Sequence, residues 1–189
     1  MNFALSALAL AVLWTLAYGR TELANMMDET EVCDPKTGIV YKFFPQFRNR
    51  WDLARDKCQD DGGKLATINY QGLHRRIKRH INAYPDTLTP QGLGYWFGLN
   101  DRIEEGVYKF VDNEDFVYTE GWYSEALGGV MVSQPNNNVD EDCHGQDCGQ
   151  LWRRPKSGPA YDFDDAYCLE LKSFICEYPA GTGGCVIEA

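Results

Sequence analysis

Residues 51–68 read WDLARDKCQDDGGKLATI, and the order of signals in this stretch is the key to the fold. Trp51, Ala54 and Cys58 recur at helical spacing, which places them on one face of a helix spanning Arg50 to Asp60. Asp61, Gly62 and Gly63 stop that helix, and KLATI follows as a short strand. The buried face of the helix therefore carries a cysteine.

Upstream, IVYKFF at 39–44 has the β-branched and aromatic composition of a strand. Residues 20–32 are polar and lack a period, and read as a flexible lead-in. Before them, an uncharged apolar run from Phe3 to Leu16 ends in the small residues Ala17 and Gly19. Residues 1–19 read as a secretory signal peptide cleaved after Gly19. No later segment has the length or apolarity of a membrane span.

Downstream, QGLHRRIKRHINAY at 71–84 reads as a second helix, with Leu73, Ile77 and Ile81 as its apolar stripe. Arg75, Arg76, Lys78 and Arg79 lie off that stripe, as the solvated face of an ordinary helix or as a basic groove for an acidic ligand. PDTLTPQGLG breaks the pattern, and YWFGL at 95–99 reads as a buried strand. From Asn113 to Gly149 the chain carries acids, glycines and asparagines with little periodicity, and so long a structureless run in a domain is usually functional or wrongly assigned. CGQLW, AYC and SFICEY then restore short strands, and residues 179–189 form a tail.

The formal charge of −10 disfavours nucleic acid and anionic lipid as main partners and favours cations. Seven cysteines in an exported chain read as disulfides with at least one thiol unpaired or bridging to another chain. The three histidines form no metal-binding array, so a zinc site is not expected. No nucleophile motif or phosphate loop supports an enzyme.

WDLARDKCQDDGGKLATI, YWFGLND, QPN, QDCGQLW, FDDAYC and FICEY occur in that order, and together they resemble the C-type lectin-like domain over residues 33–178. The resemblance implies an α+β fold with two helices, small antiparallel sheets and a long calcium-binding loop region, which would account for Asn113 to Gly149. It also implies that Cys58 pairs with Cys176, and that a cysteine ahead of the CGQLW strand pairs with Cys168. Cys148 is followed by an apolar strand-like alternation and Cys143 by His144 and Gly145, a turn, so Cys148 takes that role. Because the family's chain ends run side by side, Cys33 is expected to pair with Cys185. Cys143 is then left free or forms an interchain bridge in a disulfide-linked homodimer.

Carried over by resemblance, the calcium (Ca2+) ligands are Gln134, Asn136, Gln146, Asp164 and Asp165, with the Gln134–Pro135 peptide cis and two sugar hydroxyls completing the shell. In the mannose-type pattern one hydroxyl would meet Gln134 and Asp164 and the other Asn136 and Gln146. Gln-Pro-Asn matches neither the mannose-type nor the galactose-type triplet, so the sugar class stays open. The usual five side chains bring three negative charges, whereas these bring two, from Asp164 and Asp165. Asp140, Glu141 and Asp142 in an inserted segment could restore the charge, with Glu141 the first choice. Phe163 stands where the family usually has tryptophan. The expected function is that of a secreted, extracellular, calcium-dependent carbohydrate-binding lectin. The alternative is an extracellular structural or biomineral-matrix protein of the same fold.

Overall fold

The computed structural model describes residues 30–139, 145–154, 161–181 and 185. The signal-peptide reading of residues 1–19 and the expectations for Glu141 and Cys143 fall outside the described residues.

The first helix, α1, spans Trp51–Asp60 and buries Trp51, Ala54 and Cys58. Asp52 in its first turn and Lys57 in its last complement the helix dipole. Gly62, at φ 81°, ends it in the left-handed region and donates its N–H to the Gln59 carbonyl. The second helix, α2, spans Gln71–Ala83 and buries Leu73, His74, Ile77 and Ile81. His74 is the addition to the expected apolar stripe.

The described residues form ten strands, in chain order β1 (Glu31–Cys33), β2 (Val40–Asn49), β3 (Lys64–Leu65), β4 (Gly94–Asn100), β5 (Lys109–Phe110), β6 (Ser124–Leu127), β7 (Val130–Ser133), β8 (Cys148–Trp152), β9 (Asp162–Ala166) and β10 (Lys172–Tyr178). Eight of them form one sheet along the path β1-β2-β10-β4-β8-β9, with β3 on β10 and β5 on β4. The small antiparallel units expected from the sequence are thus joined, because β10 and β4 pair in parallel at Ser173 with Tyr95 and Phe174 with Trp96. Strand pairing also starts at Glu31, inside the segment read as a lead-in.

β2 runs past Phe44 through Pro45, which the composition of IVYKFF did not foretell. Its register with β10 shifts between Phe44 and Asn49, and a proline fits such an irregularity because it has no N–H to give the ladder. The Pro45 carbonyl instead accepts the Ser173 hydroxyl at 2.8 Å.

The run from Asn113 to Gly149 is not structureless. It holds a 3-10 turn at Thr119–Gly121 and the β6–β7 hairpin. Gly128 and Gly129, at φ 59° and 87°, make the two-residue turn that such a hairpin needs.

Two apolar cores sit on opposite faces of the sheet. One gathers α2 with Tyr95, Phe97, Leu99, Leu151 and Phe163, and the other gathers α1 with Trp96, Cys148, Ala166 and Cys176. Disulfides join Cys58 to Cys176 and Cys148 to Cys168. A third, Cys33 to Cys185, ties residues 152 positions apart.

Candidate functional site

β7 leads into Gln134, whose N–H donates to the Tyr123 carbonyl at 2.8 Å. The Gln134–Pro135 peptide that follows is cis. Beyond it the backbone N–H groups of Asn136 and Asn137 turn towards β9 and meet the carboxylate of Asp165.

Asp165 is fully buried. Its carboxylate accepts the Asn136 N–H at 3.0 and 3.1 Å and the Asn137 N–H at 2.6 Å. Burial raises its pKa, and the two N–H donors pull against that rise. Asn136 Oδ1 and Gln146 Oε1 converge on a single donor, the Asn138 N–H, at 3.1 and 3.0 Å. Two amide oxygens thus share one partial positive charge, the arrangement a cation would also satisfy. Gln134 Oε1 is buried and has no hydrogen-bond partner among the described residues.

Asp164 lies elsewhere. β8 and β9 pair with Gln150 opposite Asp164 and Gly149 opposite Asp165, and side chains along a strand alternate faces. Asp164 therefore shares a face with Gln150, whose Nε2 donates to Asp164 Oδ2 at 2.6 Å. Burial pushes the Asp164 carboxyl up to about 7, opposed by the Gln150 hydrogen bond and reinforced by the Asp165 charge. Asp164 is thus engaged by Gln150, whereas Asn136 and Gln146 are brought together on the Asn138 N–H.

Phe163 anchors the strand that carries both acids. It is fully buried and its ring meets His74 at 4.6 Å, Phe97 at 4.7 Å and Trp122 at 6.1 Å between centroids. Gly121 lies so close that a Cβ there would stand 2.4 Å from the Phe163 ring.

Three residues escaped the sequence reading. Asn137, at φ 42°, accepts the Gln146 N–H on Oδ1 at 2.8 Å while its own N–H binds Asp165. Its tolerance of the left-handed region was the available signal. The Asp147 carbonyl accepts the Asp101 N–H at 3.1 Å, which ties the loop to the end of β4. One oxygen of Asp101 accepts the Gly106 N–H at 2.9 Å, and the other is buried without a partner. Burial raises the Asp101 carboxyl to about 6 against the Gly106 hydrogen bond, with the Glu105 and Asp147 charges adding to the rise.

Among the described residues no three His, Cys, Asp or Glu side chains converge as metal ligands. An ion at this site would be held by amide oxygens around one carboxylate, a set that suits calcium, which takes oxygen ligands in flexible geometry.

Comparisons with known proteins agree on one family. The model of the lectin C-type domain matches residues 48–178. Human C-type lectin domain family 17, member A is 30% identical over 143 residues, which cover 76% of this chain and 30% of that protein. The chain thus spans less than a third of that relative's length. Salivary C-type lectin 1 of Aedes albopictus is 22% identical over 155 residues, covering 82% of this chain and 91% of the relative. Among solved structures, the mouse scavenger receptor C-type lectin carbohydrate-recognition domain superposes with a TM-score of 0.55 at 24% identity, covering 85% of this chain and 96% of that one.

Proposed function

Since the chain belongs to the C-type lectin domain family, we propose that it is a secreted protein that binds carbohydrate through calcium held on the loop following β7. The observation that carries this reading is the convergence of Asn136 and Gln146 oxygens on one N–H, beside the buried carboxylate of Asp165. Gln134 completes the set with its buried, unpartnered amide oxygen. Asp164, hydrogen-bonded to Gln150 on the other face of β9, stands outside this set.

Bound calcium would supply open coordination positions for a pair of sugar hydroxyls. Around them, the amide groups of Gln134, Asn136 and Gln146 offer both N–H donors and C=O acceptors, so each hydroxyl can be matched by one of each. Asp165 holds the turn at Asn136 and Asn137 through its hydrogen bonds. Asp101, with the charges of Glu105 and Asp147 nearby, is a second buried carboxylate whose cost a cation would relieve. Glu141 in the inserted segment is a further candidate ligand. Secretion accords with the apolar N-terminal run, with a salivary relative, and with the lack, among the described residues, of any helix long and apolar enough to cross a membrane.

The test is a glycan panel containing mannose-type and galactose-type sugars, run in calcium and in chelator, with Asp165→Ala and Asn136→Ala beside the parent. Binding that needs calcium and is lost in both variants is expected. Calcium-independent binding, or binding unchanged in either variant, overturns the assignment.

A further inference from the structure

α2 has an outward face that the proposed sugar site does not use. With 100° per residue, Leu73, Ile77 and Ile81 centre the buried side, and Arg75 and Arg79 straddle the direction opposite to it. Both are exposed. Gly72, Arg75, Lys78, Arg79 and Asn82 line one shallow depression of about 570 Å³. Gly72 contributes no side chain, which leaves that end of the depression open.

The charge of this face is unusual for the molecule. The chain carries 28 acids against 18 lysines and arginines, yet α2 contains no Asp or Glu. A solvated helix commonly spaces opposite charges four residues apart, and Arg75 and Arg79 place like charges there instead. Lys78 is held by Asp162 at the edge of the face. No ion pair with a carboxylate occurs for Arg75, Arg76 or Arg79 among the described residues.

We infer that this face is a calcium-independent docking site for a linear sulfated polysaccharide. Guanidinium groups bind oxyanions through a planar fork of N–H donors, and two forks one helical turn apart match a chain with charges repeated along its length. A narrow polyanion along the Arg75–Arg79 line meets an acid at the edge of the face, Asp162, whose charge Lys78 already offsets. A broad anionic surface, such as a membrane or a duplex, would meet the net charge of −10. The face also offers no exposed large apolar side chain to enter a bilayer, since its neighbours are Gln71, Asn82 and Ala83.

The experiment measures binding of the whole protein to immobilised heparin in chelator at about 0.15 M salt, where exposed charges more than a Debye length apart are screened. Arg75→Ala/Arg79→Ala is compared with the parent and with Arg48→Ala/Arg50→Ala, which removes the same charge from another surface. The expected result is a loss of about tenfold or more in affinity for the α2 variant alone, with thermal stability and calcium-dependent sugar binding unchanged. Equal loss in both double variants, no loss in the α2 variant, no heparin binding by the parent, or preference for phosphatidylserine vesicles over heparin each overturns the inference. Glycan binding that needs calcium is read separately, so failure here leaves the loop site standing.

Discussion

His74 offers a direct measure of how the frame beneath the loop site is built. It is 4% exposed, its Nε2–H donates to the Tyr161 carbonyl at 2.8 Å, and its ring lies against Phe163. Burial lowers its pKa from 6.5 to about 4, against the hydrogen bond to Tyr161, which favours the charged form, and with the nearby Lys78 charge adding to the fall. The folded state therefore binds a proton less readily than the unfolded one. This contribution to stability is complete above pH 6.5 and is lost as pH falls toward 4. At about 1.4 kcal/mol per pKa unit, a drop from about pH 7 to about pH 4.5 removes roughly 2.4 kcal/mol.

His74→Phe keeps a ring against Phe163 but has no proton to bind. It also leaves the Tyr161 carbonyl without its donor, at a cost of about 1–3 kcal/mol near neutrality. Urea unfolding of both proteins in chelator should therefore show the variant less stable near neutral pH and the gap closing by about 2.4 kcal/mol at about pH 4.5. Carboxylates that titrate in the same range are common to both proteins and cancel in the difference. A gap that stays constant across that range refutes the account of a buried, neutral His74.

Gly121→Ala drives a methyl into the Phe163 ring and should cost about 1–3 kcal/mol, read as a lowered thermal midpoint. Gln134→Glu adds a negative charge where an unpartnered acceptor is buried, so it should raise calcium affinity by calorimetry while lowering stability in chelator. Replacing Cys58 and Cys176 together by alanine opens a link across 118 residues and should cost about 4–5 kcal/mol, measured by urea unfolding. Cys143, the one of the seven cysteines outside the three disulfides, should give a covalent dimer on non-reducing electrophoresis that is absent in Cys143→Ser.

Much of the frame was legible because it depends on local periodicity. Trp51, Ala54 and Cys58 declare a helix face, and the alternation after Cys148 marks β8. The β6–β7 hairpin was missed although Gly128–Gly129 is a standard turn signal, because its strands lack the alternation that burial imposes: all four residues of β7 are exposed. The position of Asp164 could not be read from residue order. The resemblance names it beside Asp165 as a ligand, and strand alternation with the register opposite Gln150 sends the two side chains to opposite faces. The parallel meeting of β4 and β10 is likewise a long-range pairing with no local signature. Asn137 and Asp101 owe their roles to backbone turns that depend on the completed fold.

The bond between Cys33 and Cys185 has a mechanical consequence. A pull applied to the chain before residue 33 and after residue 185 loads only Glu31 and Val32 of β1 before the covalent bridge carries it, and the strands between the two cysteines bear no load. The domain thus behaves as a bead on a tether: tension along the chain can reorient the loop site without unfolding it, until the bridge is reduced.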